Sequence, residues 1–256
     1  MYISVSCIMF LMAGRAFTQD YRTNVENPKE GKLSLSSFSG NLTIEGYAGS
    51  EIIISAANAE ELTVPERAKG LKPVYPGGTD NTGMGVSVEK TGNQVSVKCL
   101  LPFTKRSEYI LKVPENMSLE VTSRCENNND VFISNMKNEI EIQNCFSIDM
   151  KNVSGPLVLS TISGDIGITF GSLATGKPFS INTVSGEIDI TLPAKTAADL
   201  QMSSVSGTIF SDFDFSDTSK GMKQVGGNSL NYKLNGGGSS FSIVTVSGNI
   251  YLRKGM

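Results

Sequence analysis

Val184-Ser185-Gly186-Glu187-Ile188-Asp189-Ile190 is the stretch whose reading decides the fold, because its pattern recurs along the chain. The pattern is apolar–Ser–Gly–x–apolar–x–apolar, and the dipeptide Ser-Gly occurs six times, each time inside it. The front copy is Phe38-Ser39-Gly40-Asn41-Leu42-Thr43-Ile44. Later copies are Val153-Ser154-Gly155-Pro156-Leu157-Val158-Leu159 and Ile162-Ser163-Gly164-Asp165-Ile166-Gly167-Ile168. Val205-Ser206-Gly207-Thr208-Ile209-Phe210-Ser211 fails only at its last position, and Val246-Ser247-Gly248-Asn249-Ile250-Tyr251-Leu252 fits throughout. Met136-Lys137-Asn138-Glu139-Ile140-Glu141-Ile142 is a degenerate copy without Ser-Gly. Alternation after the glycine predicts a strand with one buried face. The glycine permits a bend or a close backbone approach that a Cβ would block. The serine hydroxyl is expected to satisfy a backbone group at that bend. The variable residue after the glycine is expected to face solvent.

Units that bury one narrow apolar face cannot fold singly, and stacking them builds a continuous core. The glycines at 155, 164, 186, 207 and 248 are 9, 22, 21 and 41 residues apart, the last being about two steps of 21. Upstream, Ser147-Ile148, Glu139-Ile140 and Asp130-Val131 continue a short period of 8 or 9. Residues 116–256 therefore read as a β-solenoid with rungs of about 20 residues rising about 4.8 Å each, roughly 34 Å for seven. A β-sandwich is the competing architecture, but it leaves the recurrent Ser-Gly unexplained. Cys125 and Cys145 fall at equivalent places on successive rungs, where they either pair as a disulfide or stack.

Residues 19–115 read as a less regular N-terminal β region that either caps the solenoid, since an open end exposes unpaired strand edges, or forms its first, less regular turns. Strands are expected at Lys32–Leu35, Glu51–Ile54, Gly85–Val88, Gln94–Val97 and Tyr109–Pro114, with a hairpin at Thr91-Gly92-Asn93. Ala56–Lys69 is the one plausible helix, limited by Pro65, and Pro73–Gly85 is a loop by composition. Arg253-Lys254 is expected to charge the last edge, and Gly236–Ser240 to connect the two halves of the 41-residue step.

Composition narrows the functional classes. The 256 residues carry 22 Lys+Arg and 25 Asp+Glu, a net charge of −3, with neither His nor Trp. That balance gives no basic footprint for nucleic acid. The absence of histidine removes the usual triads and most zinc sites. The apolar run Ile3–Ala13 is too short to span a bilayer and suits a secretory signal over residues 1–18, cleaved after Ala16 or Thr18. Nothing positive precedes it, which leaves open whether Met1 is the true start. The mature chain would then hold Cys99, Cys125 and Cys145 and no transmembrane span.

With these residues in view, the run of Val-Ser-Gly-x-Ile units resembles the bacterial putative-adhesin family of β-strand-repeat proteins of unassigned function. Phe38–Glu51 is similar to that family's opening, Tyr109–Val121 to its lead into the repeats, and Ile190-Thr191-Leu192-Pro193 to its repeat ends. The resemblance covers roughly residues 31–256. It implies an exported protein of the bacterial envelope or surface and brings no catalytic residues.

A search for chemistry finds little. Asp212, Asp214 and Asp217 offer oxygen ligands for calcium, without the glycine and terminal glutamate of a loop motif. Glu139/Glu141 and Glu187/Asp189 would form an acidic strip if their rungs align, and Lys98, Lys105 and Arg106 flank Pro102-Phe103 as a small basic patch. Each reads first as a solvated face. The sequence thus predicts an all-β, non-enzymatic, exported protein without metal or cofactor. It would reside in the periplasm, on the outer membrane surface or in the medium, presenting polar rows to a glycan, matrix or envelope protein. A periplasmic scaffold or envelope-stress signalling partner is the first alternative. A glycan-cleaving β-helix enzyme acting through the Asp212/Asp214 face is the second.

Overall fold

The computed structural model describes residues 20–57, 65–71, 73–127, 129–215 and 228–255. It places twenty strands, numbered in chain order, in two open ten-stranded sheets. From edge to edge, the first sheet begins with β1 (Asp20–Asn24), β4 (Glu51–Ala56), β7 (Tyr109–Pro114), β3 (Leu42–Tyr47) and β9 (Val131–Ser134). It continues through β11 (Ile148–Val153), β13 (Ile166–Phe170), β15 (Ile188–Pro193), β20 (Ile250–Gly255) and β17 (Ile209–Ser211). The second begins with β18 (Asn228–Leu234), β16 (Ala198–Ser204), β19 (Ser239–Ser247), β14 (Phe179–Ser185) and β12 (Leu157–Ser163). It ends with β10 (Ile140–Gln143), β8 (Ser118–Thr122), β2 (Lys32–Ser36), β6 (Gln94–Cys99) and β5 (Val86–Thr91).

From β8 to β17 the chain alternates strictly between the sheets, one strand in each per rung. Every neighbouring pair on this path is parallel, as a solenoid-like winding requires. Ile140 pairs with Leu157, Ile148 with Ile166 and Ile166 with Ile188, so successive rungs lie 17 to 22 residues apart. The short period is therefore real: strands begin at Val131, Ile140, Ile148, Leu157 and Ile166. Antiparallel strands occur only toward the ends, as β1 on β4, β4 on β7, β5 on β6 and β18 on β16. Both sheets run unbroken across residues 115–116, since β2 pairs with β8 and β3 with β9.

The core lies between the sheets and takes one face of each strand. Leu157, Leu159, Ile166, Ile168, Ile188, Ile190, Ile250 and Leu252 are buried, while the residues between them face outward. Each such burial contributes on the order of 1.5–3 kcal/mol. Phe179 and Phe241 stack at 4.3 Å between ring centroids, with Phe170 edge-on to both.

The order of rungs departs from the order of the chain at both ends. The rung formed by β19 and β20 sits between β14/β15 and β16/β17, so the last strands are interior. Likewise β2/β3 sits between β6/β7 and β8/β9. The spacing of 41 between Gly207 and Gly248 is therefore not two upward steps: the Gly248 corner stacks between those of Gly186 and Gly207. Arg253 and Lys254 accordingly stand on an interior strand rather than the last edge, and the Arg253 guanidinium grips Asp189 at 2.8 and 3.0 Å. Among the described residues no α-helix forms; Ala56 ends β4, residues 58–64 lie outside the described residues, and Glu66–Ala68 makes one 3-10 turn. The Thr91-Gly92-Asn93 hairpin joins β5 to β6, with Gly92 at a φ of 60°.

Candidate binding surface

The Ser-Gly units divide between two corners. Gly40, Gly164, Gly186, Gly207 and Gly248 turn the chain from the second sheet to the first, whereas Gly155 turns it back. At the first corner Gly164, Gly186, Gly248 and Gly207 form one column, in which a Cβ on any of the last three would collide with the preceding glycine's carbonyl. Gly155 stands against Asn138 of the degenerate copy at the opposite corner, and Gly40 against Ser107.

The hydroxyls that satisfy this column are not those of Ser163, Ser185, Ser247 and Ser206, which are exposed. They belong to buried residues three positions before each glycine. Thr161 Oγ1 donates to the Phe146 carbonyl (2.8 Å), Thr183 to Gly164 (3.2 Å), Thr245 to Gly186 (3.1 Å) and Ser204 Oγ to Gly248 (2.8 Å). The signal is present in the sequence as Thr-Ile-Ser-Gly, Thr-Val-Ser-Gly, Ser-Val-Ser-Gly and Thr-Val-Ser-Gly. Only the front copy uses its serine as expected, Ser39 Oγ donating to the Phe103 carbonyl. Ser154 reaches the Met136 carbonyl through its backbone N–H. The apolar residue before these serines is exposed in four copies: Ile162 52%, Val184 51%, Val246 44% and Val205 53%. Residues after the glycine are exposed or partly exposed, and two also tie rungs together: Asp165 accepts from the Glu187 N–H and Asn249 from that of Thr208. Cys125 and Cys145 are joined as a disulfide across successive rungs.

Both outer faces carry ion pairs, Lys32–Glu120 and Lys233–Asp199 on the second sheet among them, but their middle rows differ chemically. On the first sheet, Asp149, Gly167, Asp189, Tyr251 and Phe210 lie in one row, with Phe210 stacked on Tyr251 at 5.4 Å and Arg253 over the Tyr251 ring. That face is charged and laced by ion pairs. On the second sheet, one row reads Gln143, Ser160, Asn182, Val244, Ser203, Ser229. The row beside it reads Glu141, Val158, Ser180, Ser242, Gln201, Asn231. Eleven of these twelve side chains are uncharged, and hydroxyls and amides each offer both donors and acceptors. Strand spacing of about 4.8 Å sets the repeat of this lattice.

The remaining candidates scatter. Glu187/Asp189 lie at the start of β15 in the first sheet and Glu139/Glu141 at β10 in the second, so the two pairs do not form one strip. Glu139 and Glu141 instead line a small cleft of about 190 Å³ with Lys29, Glu30 and Lys32. Asp212 and Asp214 are exposed while Phe213 is buried; Asp212 accepts from the Lys254 N–H, and Asp217 lies outside the described residues. Among the described residues no group of three or more His, Cys, Asp or Glu could hold a metal ion. Lys98 donates to the Gly77 carbonyl, and Lys105 sits in the turn begun by Pro102. Cys99 is buried, and burial pushes its thiol pKa up, away from the thiolate that nucleophilic chemistry needs. No helix among the described residues is long and apolar enough to cross a membrane.

A family model described as Toastrack DUF4097 matches residues 8–253. Among solved structures, a putative cell adhesion protein from Clostridium sporogenes is 14% identical with a TM-score of 0.48, over 93% of this chain and 100% of that one. A putative adhesin from Bacteroides fragilis is 12% identical with a TM-score of 0.37, over 94% of this chain and 98% of that one. No curated protein matches the chain.

Proposed function

This chain belongs to the Toastrack DUF4097 family, and on that premise we propose that it is an exported, non-enzymatic protein of the cell envelope or surface. Between β10 and β18 its second sheet presents a largely uncharged polar patch to a glycan or to a protein partner. The observation that carries this reading is the pair of rows running from Gln143 to Ser229 and from Glu141 to Asn231. A flat lattice of hydroxyls and amides suits a ligand that is itself rich in hydroxyls, and is a poor match for a phosphate backbone, which needs Lys and Arg. Each contact is weak, so affinity comes from engaging many rungs, or many copies, at once.

Binding of the purified chain to immobilised polysaccharides and whole cells tests this. Ser160→Lys with Ser242→Lys should reduce retention at least about tenfold, the loss of roughly 1.4 kcal/mol. Lys151→Ser on the opposite face should leave retention unchanged. Equal retention by all three proteins, or a bound glycan released as shortened products, would overturn the reading.

A further inference from the structure

The C-terminal rung occupies a slot that closes on either side of it with matching chemistry. β19 pairs with β14 on one side and β16 on the other, and β20 with β15 and β17. Reading across the slot, Phe179 faces Phe241 and then Leu200; Ile181 faces Ile243 and then Met202; Thr183 faces Thr245 and then Ser204. In the first sheet Ile188, Ile250 and Ile209 repeat the pattern. The buried levels of the second sheet, and the Ile188 level of the first, thus set like against like, so β16 and the start of β17 can pair with β14 and β15 directly when the last rung is out. A chain emerging in sequence order makes β16 and β17 before it makes β19 and β20.

The connection to that rung is short and glycine-rich, pinned by the Asn235 side-chain amide on the Thr196 carbonyl and by the Gly237 N–H on the Leu234 carbonyl. Only Asn235, Gly236, Gly237 and Gly238 separate β18 from β19. Leu234 and Ser239 both pair with Ala198, so this loop passes over the start of β16 from one side to the other. Asn235, Gly236 and Gly237 have φ values of 48°, 90° and 87°. Fully extended, four residues span about 14 Å, nearly three inter-strand spacings. Short glycine hinges and identical receiving slots are the requirements for exchange of an element between copies.

We propose that the rung Ser239–Gly255 is exchangeable, and that a second copy of this chain accepts it into its own slot between β14/β15 and β16/β17, giving a reciprocal two-fold dimer. The inserted surface is the native one, so the dimer gains no new interface chemistry and loses none. Its formation depends on opening the rung and on the concentration of partners.

Ser180 and Ser242 pair across the slot on the outer face of the second sheet, which gives a direct test in the full chain. Ser180→Cys and Ser242→Cys proteins are made separately, unfolded together, refolded and bridged with a short bis-maleimide. Peptide mapping then separates the 180–242 link from any link at Cys99, which is buried. The double variant Ser180→Cys/Ser242→Cys, refolded dilute, shows that the geometry permits the bridge within one molecule. The expected result is a 180–242 link between molecules, with a dimer-to-monomer ratio rising about tenfold per tenfold concentration while monomer dominates. Absence of that link at every concentration, with the internal bridge forming normally, overturns the proposal. So does the same link formed at once on mixing folded proteins, at a yield that does not grow with incubation, since it would then report contact between outer faces rather than opening of the rung.

Discussion

Adding one methyl group at Gly186 and one at Gly167 should move stability in opposite directions. At Gly186 a Cβ would run into the carbonyl oxygen and carbon of Gly164 and crowd the Asp165 nitrogen, all backbone atoms of the adjacent rung. No rotamer relieves such a contact; the rungs must part. Parting them strains the Gly164 N–H bond to the Ser185 carbonyl (3.1 Å) and the Thr183 bond to the Gly164 carbonyl (3.2 Å). Overpacking costs about 1–3 kcal/mol and each hydrogen bond about 1, so Gly186→Ala should cost about 3–5 kcal/mol. For a chain of this length that lowers Tm by about 6–20 °C. At Gly167, in the middle of β13, the nearest atom to a new Cβ is the Asp149 carboxylate at 3.7 Å, an ordinary contact. Gly167→Ala should therefore stabilise by about 0.4–1 kcal/mol, through the entropy of the unfolded chain. Thermal unfolding followed by circular dichroism reads both. A Gly186→Ala protein melting within about 2 °C of the parent would refute the stacked glycine column.

Three further outcomes follow from particular contacts. Reducing the Cys125–Cys145 disulfide, which closes a separation of 20 residues, should cost about 3 kcal/mol and lower Tm by about 6–12 °C, measured with and without a phosphine reductant. Phe241→Ala empties one side of a stacked pair inside the inserted rung and should cost about 3–5 kcal/mol by urea unfolding; a loss under about 1 would mean that the rung is loosely held. Lys32 first, then Ser34, holds the Glu120 carboxyl below its ordinary range. A depressed folded pKa adds stability above the unfolded value near about 4.3 and loses it as pH falls through the folded value. The side chain is two-thirds covered at most in a pair open to solvent, so the gap between parent and Glu120→Gln should be under about 1 kcal/mol at pH 7. It should shrink as pH falls below the unfolded value and through the folded one, and a gap that widens on acidification would contradict the pairing.

Strand positions are legible in the sequence because two signals coincide: period-two alternation fixes the buried face, and glycine marks the corner. Ile166/Ile168 and Ile188/Ile190 thus read as core residues from their spacing alone, and both pairs are buried. Rung order is not legible, for the same physical reason that makes the repeats recognisable. The units at Val184, Val205 and Val246 have nearly the same pattern, so any of them stacks acceptably on any other, and the chain itself does not say that Gly248 lies between Gly186 and Gly207. The polar lattice inherits this limit, because Ser242 and Val244 enter it only through the insertion of β19. The hydroxyl at the corner is easily assigned to the wrong residue because Ser-Gly is the more visible repeat. Burial selects the threonine three residues before the glycine instead, where the side chain points inward and its hydroxyl has a carbonyl to meet.

Presentation of the second sheet to an outside partner requires that the folded chain stand outside the cell's barrier. Protease shaving of intact source cells, read with an antibody against the mature chain beside an internal periplasmic control, tests that most directly. The account predicts that the chain's signal disappears while the control survives. Protection of the chain until the outer barrier is opened would contradict surface presentation and move the search to periplasmic partners.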